Sequence, residues 1–295
     1  MEKVLVGIGI LIGILILSVA AGLLIGRIPL NGEEEPRVSI IPVHGLLMRD
    51  AEIPAFDVDE CITLLEETDK DDSVGAIVLD IDSGGGLVVP SEMLARAVKS
   101  VNKPIVAWIG GTGASGSYWV ASSADYVISD PLSLTGSIGV TTDVIIAEDL
   151  MKKVGIRMES FTSGEFKSMG TFERNMTKEE KALMQALVDE LHTEFVAAIA
   201  ENRNMTVEDV SAIADGRVFL GKDALELGLV DEVGGRESAV RIAAGMANMT
   251  SYNTEVVKKE KGFMEMLREL TSVSAKNIGL GIAEGAYRFD TTTRA

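Results

Sequence analysis

The sequence predicts an α/β domain in which a parallel sheet is covered by helices on both faces. Short, continuously apolar segments recur along the chain, as expected for strands that are buried on both sides. Amphipathic segments of helical length separate most of these strands. Glycine-rich turns follow two of the strands, at residues 84–86 and 110–116.

The predicted domain begins at Arg37, and strands and helices alternate from there. Apolar runs predict strands at residues 38–43, 76–81, 105–109, 126–129 and 156–162. Helical spacing predicts a short helix from Ser115 and further helices at residues 58–68, 90–101, 143–154, 177–203, 207–214, 222–227 and 237–247. Thr177 and Glu180 have the spacing of a capping box, which indicates where the longest helix starts.

The pattern breaks at residues 250–253, so we expect the domain to end at residue 249. Residues 250–295 form a predicted C-terminal tail with a polar end. One amphipathic stretch in this tail, residues 262–273, is long enough for a helix. The chain therefore carries one predicted domain, residues 37–249.

The N-terminal segment predicts one transmembrane helix. No charged residue occurs from Val4 to Gly26, and this run is long enough to cross a bilayer. It exceeds the apolar core of an ordinary cleaved signal peptide, although the small residues at 18–22 leave cleavage open as an alternative. We expect residues 1–27 to be an uncleaved, single-pass anchor in the cell membrane. Residues 28–36 then form an acidic linker to an extracytoplasmic domain.

Composition limits the classes of function. The net charge of −18 argues against nucleic acid or an anionic membrane surface as a partner. The one cysteine, Cys61, rules out an internal disulfide framework. Only two histidines are present, so a zinc site is not expected. We expect neither a metal nor another cofactor.

The turn around Ser115 is the strongest functional feature of the sequence. Gly111, Gly113 and Gly116 follow a strand in Gly-x-Gly-x-x-Gly spacing, which suits a dinucleotide-binding loop or a purely structural turn. The same flexibility can expose Ser115 as a nucleophile and aim backbone N–H groups at an oxyanion. The short helix that follows and the second glycine loop at residues 84–86 favour the nucleophile.

A serine nucleophile needs a general base, and three residues are candidates. His44 and His192 each have an ordinary structural interpretation, His44 in a loop and His192 at the solvent edge of a helix. A lysine serves as base when burial lowers its pKa. Lys167 lies in a loop that mixes aromatic and small residues, and between it and Ser115 lies Ser137, whose hydroxyl is suited to holding an uncharged amine.

Together these motifs resemble the signal peptide peptidase A (SppA) family of membrane-anchored Ser/Lys peptidases, over about residues 38–235. The resemblance implies a fold like that of the Clp protease proteolytic subunit and the crotonases. It implies Ser115 as nucleophile, Lys167 as general base and Ser137 as the serine that orients this lysine. Residues 215–221 and 225–232 resemble the closing motif of the family.

The loop after the second strand resembles the Asn-Ser-Pro-Gly-Gly oxyanion loop of the family. The resemblance implies an oxyanion hole formed by Gly85, Gly86 and Gly116. The sequence departs from the family at two positions, where Asp82 replaces asparagine and Gly84 replaces proline. We therefore expect a less rigid loop.

The resemblance implies a membrane-anchored serine endopeptidase that degrades remnant signal peptides or other extended hydrophobic peptides. Relatives of this size assemble into a ring, so the expected partners are peptide substrates, the membrane and further copies of the chain, with no nucleic acid. A stomatin-associated type of membrane peptidase, which acts on the apolar tail of a partner, is an alternative. A catalytically silent ring scaffold and a crotonase-like acyl-thioester enzyme are others.

Overall fold

The structure is a computed structural model that describes residues 35–49 and 56–257. These residues form ten strands and eight helices. The strands are β1 (Arg37–His44), β2 (Leu47–Met48), β3 (Phe56–Asp57), β4 (Val74–Ser83), β5 (Ile105–Ala114), β6 (Tyr126–Ser129), β7 (Leu134–Gly136), β8 (Val218–Leu220), β9 (Glu232–Val233) and β10 (Asn253–Val256). The helices are α1 (Val58–Lys70), α2 (Val88–Ser100), α3 (Gly116–Ser122), α4 (Glu148–Val154), α5 (Lys178–Arg203), α6 (Val207–Ser211), α7 (Gly221–Glu226) and α8 (Arg236–Met246).

The central sheet contains eight strands, six of them in the order β10-β1-β4-β5-β6-β9. All neighbours in this order are parallel. β7 pairs in parallel with the end of β5, and β8 pairs antiparallel to β7. β2 and β3 form a separate parallel pair. The predicted α/β class with a parallel sheet is confirmed, and the arrangement fits the Clp-protease/crotonase-like fold.

Both faces of the sheet are buried, which explains why the strand sequences are continuously apolar. On one face, Ile77, Leu79 and Ile81 of β4 pack with α1, α2, α3 and α5. On the other face, Ala76 and Val78 of the same strand pack with α8. Because successive side chains of a strand point to opposite faces of the sheet, each strand contributes to both cores. Full burial of each large aliphatic side chain contributes about 1.5–3 kcal/mol.

The segment between α4 and α5 differs from the prediction. Residues 156–162 form neither strand nor helix, and all of them are exposed, so the strand predicted there is wrong. Their alternating apolar and polar residues imitate a strand pattern, but no strand in the described ranges pairs with them. Helix α4 buries none of its residues. The apolar side chains of this segment consequently lie at the surface.

The sheet continues past the boundary predicted at residue 249. β10 pairs in parallel with β1, with Asn253 opposite Arg37. The polar residues 250–252 therefore connect α8 to an edge strand. The predicted tail helix at 262–273 and the predicted membrane anchor at 1–27 lie outside the described residues. Within residues 35–49 and 56–257, no helix has the length and apolar character that crossing a membrane requires.

Candidate active site

Ser115 occupies a strained turn between β5 and α3. Its backbone angles are φ 55° and ψ −129°, a positive-φ conformation outside the left-handed helical region that costs a residue with a side chain about 1–3 kcal/mol. The backbone N–H of Ser115 donates a 2.8 Å hydrogen bond to the carbonyl oxygen of Gly136. This bond and the start of α3 hold the turn, so the half-buried Ser115 side chain is presented where β5 ends.

The glycines before Ser115 lie in the sheet and do not form a phosphate-binding loop. Gly111 and Gly113 are part of β5, and Gly113 pairs with Ser83 of β4 on one side and with Thr135 of β7 on the other. In a dinucleotide site, backbone amides at this point face the pyrophosphate. Here two neighbouring strands flank the same stretch, which argues against the dinucleotide alternative.

The second glycine loop packs directly against the Ser115 turn. Gly85 has φ +97°, and a Cβ atom added to it would lie within 3 Å of the backbone nitrogen of Gly116 and of the Ser115 Cβ. A Cβ atom on Gly86 would lie 2.1 Å from the carbonyl oxygen of Leu47. No side chain larger than hydrogen fits at either position. The glycines therefore allow two backbone segments to approach each other at the candidate nucleophile.

Two backbone N–H groups are available to bind an oxyanion. The N–H of Gly86 and the N–H of Gly116 donate to no other residue in the described part of the chain. A Cβ atom on Gly116 would lie 3.5 Å from the Gly86 nitrogen, so the two donors are close neighbours. The N–H of Gly85, in contrast, donates to the Ser83 hydroxyl over 3.1 Å. Gly85 thus shapes the loop, while Gly86 and Gly116 offer the free donors.

Asp82 has a structural partner in β5. Its Oδ1 accepts a 3.0 Å hydrogen bond from the backbone N–H of Thr112. A Cβ atom on Gly111 would lie 2.6 Å from the same oxygen. The carboxylate thereby connects the end of β4 to the last residues of β5, close to the point where the register between the two strands shifts. The replacement of asparagine at this position retains an acceptor.

Ser137 is held beside Ser115 by strand pairing. β7 pairs with β5 so that Gly136 lies opposite Ala114, and the next residue of each strand is a serine. Ser137 also has a positive φ, 49°. Its hydroxyl donates to the Gly216 carbonyl over 3.1 Å, and its N–H donates to the Arg217 carbonyl over 2.9 Å. The pairing of β5 and β7 therefore places Ser137 next to Ser115.

A cavity of about 420 Å³ adjoins both serines. Its lining combines the turn after β7, one face of α5 and the loop before β8: Ser115, Ser137, Gly139, Val140, Thr141, Gln185, Val188, Asp189, His192, Ala214, Asp215 and Gly216. Two carboxylates and a histidine line it, and the described lining includes no lysine or arginine. Arg217 nearby pairs with Asp215 and lowers the pKa of that carboxyl through hydrogen bonds.

His192, one of the three candidate bases in the sequence, lines this cavity from α5. Its Nε2 lies 2.8 Å from the carbonyl oxygen of Ala214, so the ring joins α5 to the loop that also holds Ser137. Gln185, Asp189 and His192 recur at helical spacing, which places them on one face of α5. This helical spacing is the feature of the sequence from which the common position of the three residues on α5 could have been predicted. His44, the other histidine, pairs with Asp80 and is absent from the cavity lining.

Lys167 lies in a different place from the two serines. Its side chain is exposed and lines a second cavity, of about 760 Å³, among apolar residues such as Ile145, Phe161 and Phe172. The residues that line this second cavity include neither Ser115 nor Ser137. One chain thus does not bring the predicted nucleophile and the predicted base into a common cavity.

The loop that carries Lys167 is anchored on the start of α5. Arg174 donates to the carbonyl and the hydroxyl of Ser168, at 3.0 and 2.9 Å, and to the Glu180 carboxylate at 2.6 Å. Glu180 also closes the predicted capping box with Thr177. The hydrogen bonds from Arg174 and from the Thr177 N–H lower the pKa of Glu180 to about 2. These bonds to the start of α5 hold the loop that carries Lys167 in place.

Comparisons with known proteins show which proteins the chain is similar to. The model of peptidase family S49 matches residues 97–250. The protein named "Putative protease MJ0651" from Methanocaldococcus jannaschii is 40% identical over 77% of this chain and 73% of its own length. "Serine protease SPPA, chloroplastic" from Arabidopsis thaliana is 31% identical over 77% of this chain and 33% of its own. Protease 4 from Salmonella typhi is 28% identical over 81% of this chain and 39% of its own.

Proposed function

Because the chain belongs to peptidase family S49, the signal peptide peptidase SppA family, and is a serine peptidase, we propose that Ser115 is its nucleophile and Lys167 its general base. The observation that carries this proposal is the Ser115 turn, with its positive φ and the two free N–H groups of Gly86 and Gly116 beside it. Such a turn presents a hydroxyl next to donors that can bind a developing oxyanion.

The proposed reaction proceeds through an acyl-enzyme. The Ser115 hydroxyl oxygen attacks the peptide carbonyl carbon, and its proton passes to the neutral amine of Lys167. The N–H groups of Gly86 and Gly116 bind the oxyanion, and the lysine returns the proton to the leaving amine as the C–N bond breaks. Water then attacks the ester by the same route. Ser137 holds the lysine amine in line with Ser115.

The base enters the Ser115 cavity from a second copy of the chain. The described residues that line that cavity include no lysine, so one chain offers no lysine amine beside Ser115. Lys167 is exposed on a loop whose apolar neighbours are also exposed. Both halves of the dyad are therefore open to a partner.

The exposed apolar surface around Lys167 supports assembly into a homo-oligomer. Four exposed apolar residues line the cavity with Lys167: Ile145, Met158, Phe161 and Phe172. Leu150 and Val154 of α4 and the following Ile156 are exposed as well. Phe161 is 89% exposed. Contiguous apolar surface of this kind is typical of protein–protein contacts. A ring of copies that buries this surface also brings Lys167 to a neighbouring Ser115.

Extended hydrophobic peptides, including remnants of signal peptides, are the proposed substrates. Leu46, Leu87 and Val89 flank the glycine loop and are each about half exposed or more, so apolar side chains lie where a peptide would bind beside Gly86. The uncharged segment from Val4 to Gly26 supports anchoring in a membrane. We propose that the domain lies on the extracytoplasmic side of that membrane.

Labelling of the full-length chain with a fluorophosphonate tests the nucleophile. We expect an adduct on Ser115 in the wild type, none in Ser115→Ala, and normal labelling in Ser122→Ala, whose buried hydroxyl lies on the same helix. Labelled chain should lose its hydrolysis of an apolar coumarylamide peptide. A Ser115→Ala variant that still reacts and still hydrolyses the peptide would refute the assignment.

Mixed oligomers test where the base comes from. Ser115→Ala and Lys167→Ala chains are each expected to be inactive alone. Co-expressed, they should regain activity, because some interfaces then join an intact Ser115 to an intact Lys167. If the co-expressed variants stay inactive while the wild type is active and oligomeric, the dyad forms within one chain.

A further inference from the structure

Ser117 joins the two glycine-containing turns of the active site. Resting on the proposed function, we propose that Ser117 is a positioning residue that keeps the Gly86 N–H in place for the oxyanion formed at Ser115. Its side chain is fully buried, and it does not line the Ser115 cavity. It acts on the reaction through the loop that follows β4.

The Ser117 hydroxyl lies between the ends of the two central strands. Its oxygen is 2.5 Å from the carbonyl oxygen of Ser83, the last residue of β4, and 2.8 Å from that of Ala114, the last residue of β5. One hydroxyl proton is thus within reach of two carbonyl oxygens. The glycine loop comes directly after Ser83 in the chain, and Ser115 comes directly after Ala114.

The strand pairing alone leaves this point weakly fixed. The register of β4 against β5 shifts between Ile81 and Ser83, so the regular ladder is interrupted just before the loop. Three consecutive glycines follow, and glycine is the residue with the greatest backbone freedom. A Cβ atom on Gly84 would meet nothing within 4 Å, so packing does not hold that residue.

Other contacts fix the loop from the opposite side. The Ser83 hydroxyl donates to the Gly45 carbonyl over 2.6 Å, and the Leu47 N–H donates to the Gly85 carbonyl over 2.9 Å. These bonds attach the loop to the segment after β1. The Ser117 hydroxyl attaches the start of the loop to the Ser115 turn, since Ser117 lies two residues after Ser115 in the chain.

The test compares Ser117→Ala with Ser122→Ala in the full-length enzyme. Ser122 is the matched control, because it is also buried in α3 and donates to a backbone carbonyl, that of Trp119. We expect Ser117→Ala to lower kcat for an apolar coumarylamide peptide about tenfold or more, since a small misplacement of a catalytic donor has effects of this size. KM should stay within about twofold of the control.

Inhibitor binding separates a positioning role from a structural one. Addition of the Ser115 oxygen to a peptide aldehyde, with transfer of the hydroxyl proton to the base, creates an oxyanion, whereas the corresponding peptide alcohol forms none. We expect Ser117→Ala to weaken binding of acetyl-Leu-Leu-leucinal by about the same factor as kcat, and to leave binding of the alcohol unchanged. Equal weakening of both inhibitors, or none, would overturn the proposal.

A double-mutant cycle with Gly84→Pro gives an independent readout. Gly84 has no left-handed φ and open space around its Cβ position, so proline can stiffen the loop there. The loss of kcat caused by Ser117→Ala should be smaller in the Gly84→Pro background than in the wild-type background. The same loss in both backgrounds would mean that Ser117 does not act by fixing the loop.

The outcomes distinguish this proposal from the proposed function. Absence of Ser115 labelling in the wild type refutes the peptidase site itself. Normal wild-type activity with Ser117→Ala equal to Ser122→Ala refutes only the positioning role. If thermal unfolding shows that Ser117→Ala does not fold, Ser117→Cys replaces it, because a thiol fills the site but donates weakly. The same selective loss of aldehyde binding is then expected.

Discussion

The N–H of Ser115 donates to the carbonyl oxygen of Gly136, and the residue after Gly136 is Ser137. One hydrogen bond between β5 and β7 therefore fixes the relative position of the proposed nucleophile and the hydroxyl proposed to hold the base. The positive φ of both serines shows that each strand changes direction at this point.

Ser137→Gly should remove the hydroxyl while keeping the backbone conformation, since glycine adopts the φ of 49° without strain. We expect turnover to fall about ten- to a thousandfold, equivalent to a few kcal/mol of barrier. The free energy of unfolding should stay within about 1 kcal/mol, because relief of strain offsets the lost hydrogen bond to Gly216. An unchanged turnover number in steady-state kinetics would exclude this hydroxyl from contact with the base.

His192→Gln distinguishes a lysine base from a histidine base. The Gln amide can still donate to the Ala214 carbonyl, which is the contact that His192 makes. We expect the variant to retain at least about a tenth of wild-type kcat, compared with the complete loss in Lys167→Ala. The measurement is kcat for the apolar coumarylamide peptide. A loss in His192→Gln as severe as that in Ser115→Ala would assign the base to His192.

Alanine substitutions at two glycines of the same loop should have opposite effects on stability. A Cβ atom at Gly86 would lie 2.1 Å from the Leu47 carbonyl oxygen, so Gly86→Ala should cost about 3 kcal/mol. At Gly84 a Cβ atom meets nothing within 4 Å, so Gly84→Ala should add about 0.4–1 kcal/mol by restricting the unfolded chain. Urea unfolding of the two variants measures the difference. Equal stabilities would contradict the close approach of Gly86 and Leu47.

Glu180 should contribute stability that is lost in acid. Its pKa is lowered from 4.5 to about 2 in the folded chain, mainly by the hydrogen bond from Arg174. A carboxyl group whose pKa is lower in the folded chain stabilises the fold at pH values above its unfolded-state pKa. This contribution disappears as the pH falls from about 4.5 towards 2. Glu180→Gln should therefore lower stability at pH 7 more than at pH 3 in urea unfolding. Glu179→Gln, an exposed neighbour, is the control, and a pH-independent difference would contradict the linkage.

The fold was predictable from the sequence because strands that are buried on both faces of a sheet consist of continuous apolar runs. β4 and β5 are such runs, and the capping box of Thr177 and Glu180 gives the start of α5 correctly. The short strands β7, β8 and β9 were not predictable, because two to three residues carry too little periodicity. β10 is exposed at the sheet edge and polar, so it lacks the apolar signal.

The site was predictable only in part. The sequence predicts a turn at Ser115, but Gly111 and Gly113 lie within β5, and the residue with the positive φ is Ser115 itself. Which glycine N–H is free was not predictable, since it depends on the Ser83 hydroxyl that accepts from Gly85. The placement of Lys167 in a separate cavity depends on the path of an irregular loop, and no local pattern encodes that path.

The separation of Ser115 and Lys167 into two cavities has a kinetic consequence. If the dyad is divided between copies as we propose, specific activity depends on protein concentration, so hydrolysis falls more steeply than linearly upon dilution. A newly made chain is then harmless to its surroundings until it meets others. Confinement to a membrane raises local concentration and favours that meeting. With the divided dyad and the membrane anchor that we propose, assembly in the plane of the bilayer would itself switch on proteolysis.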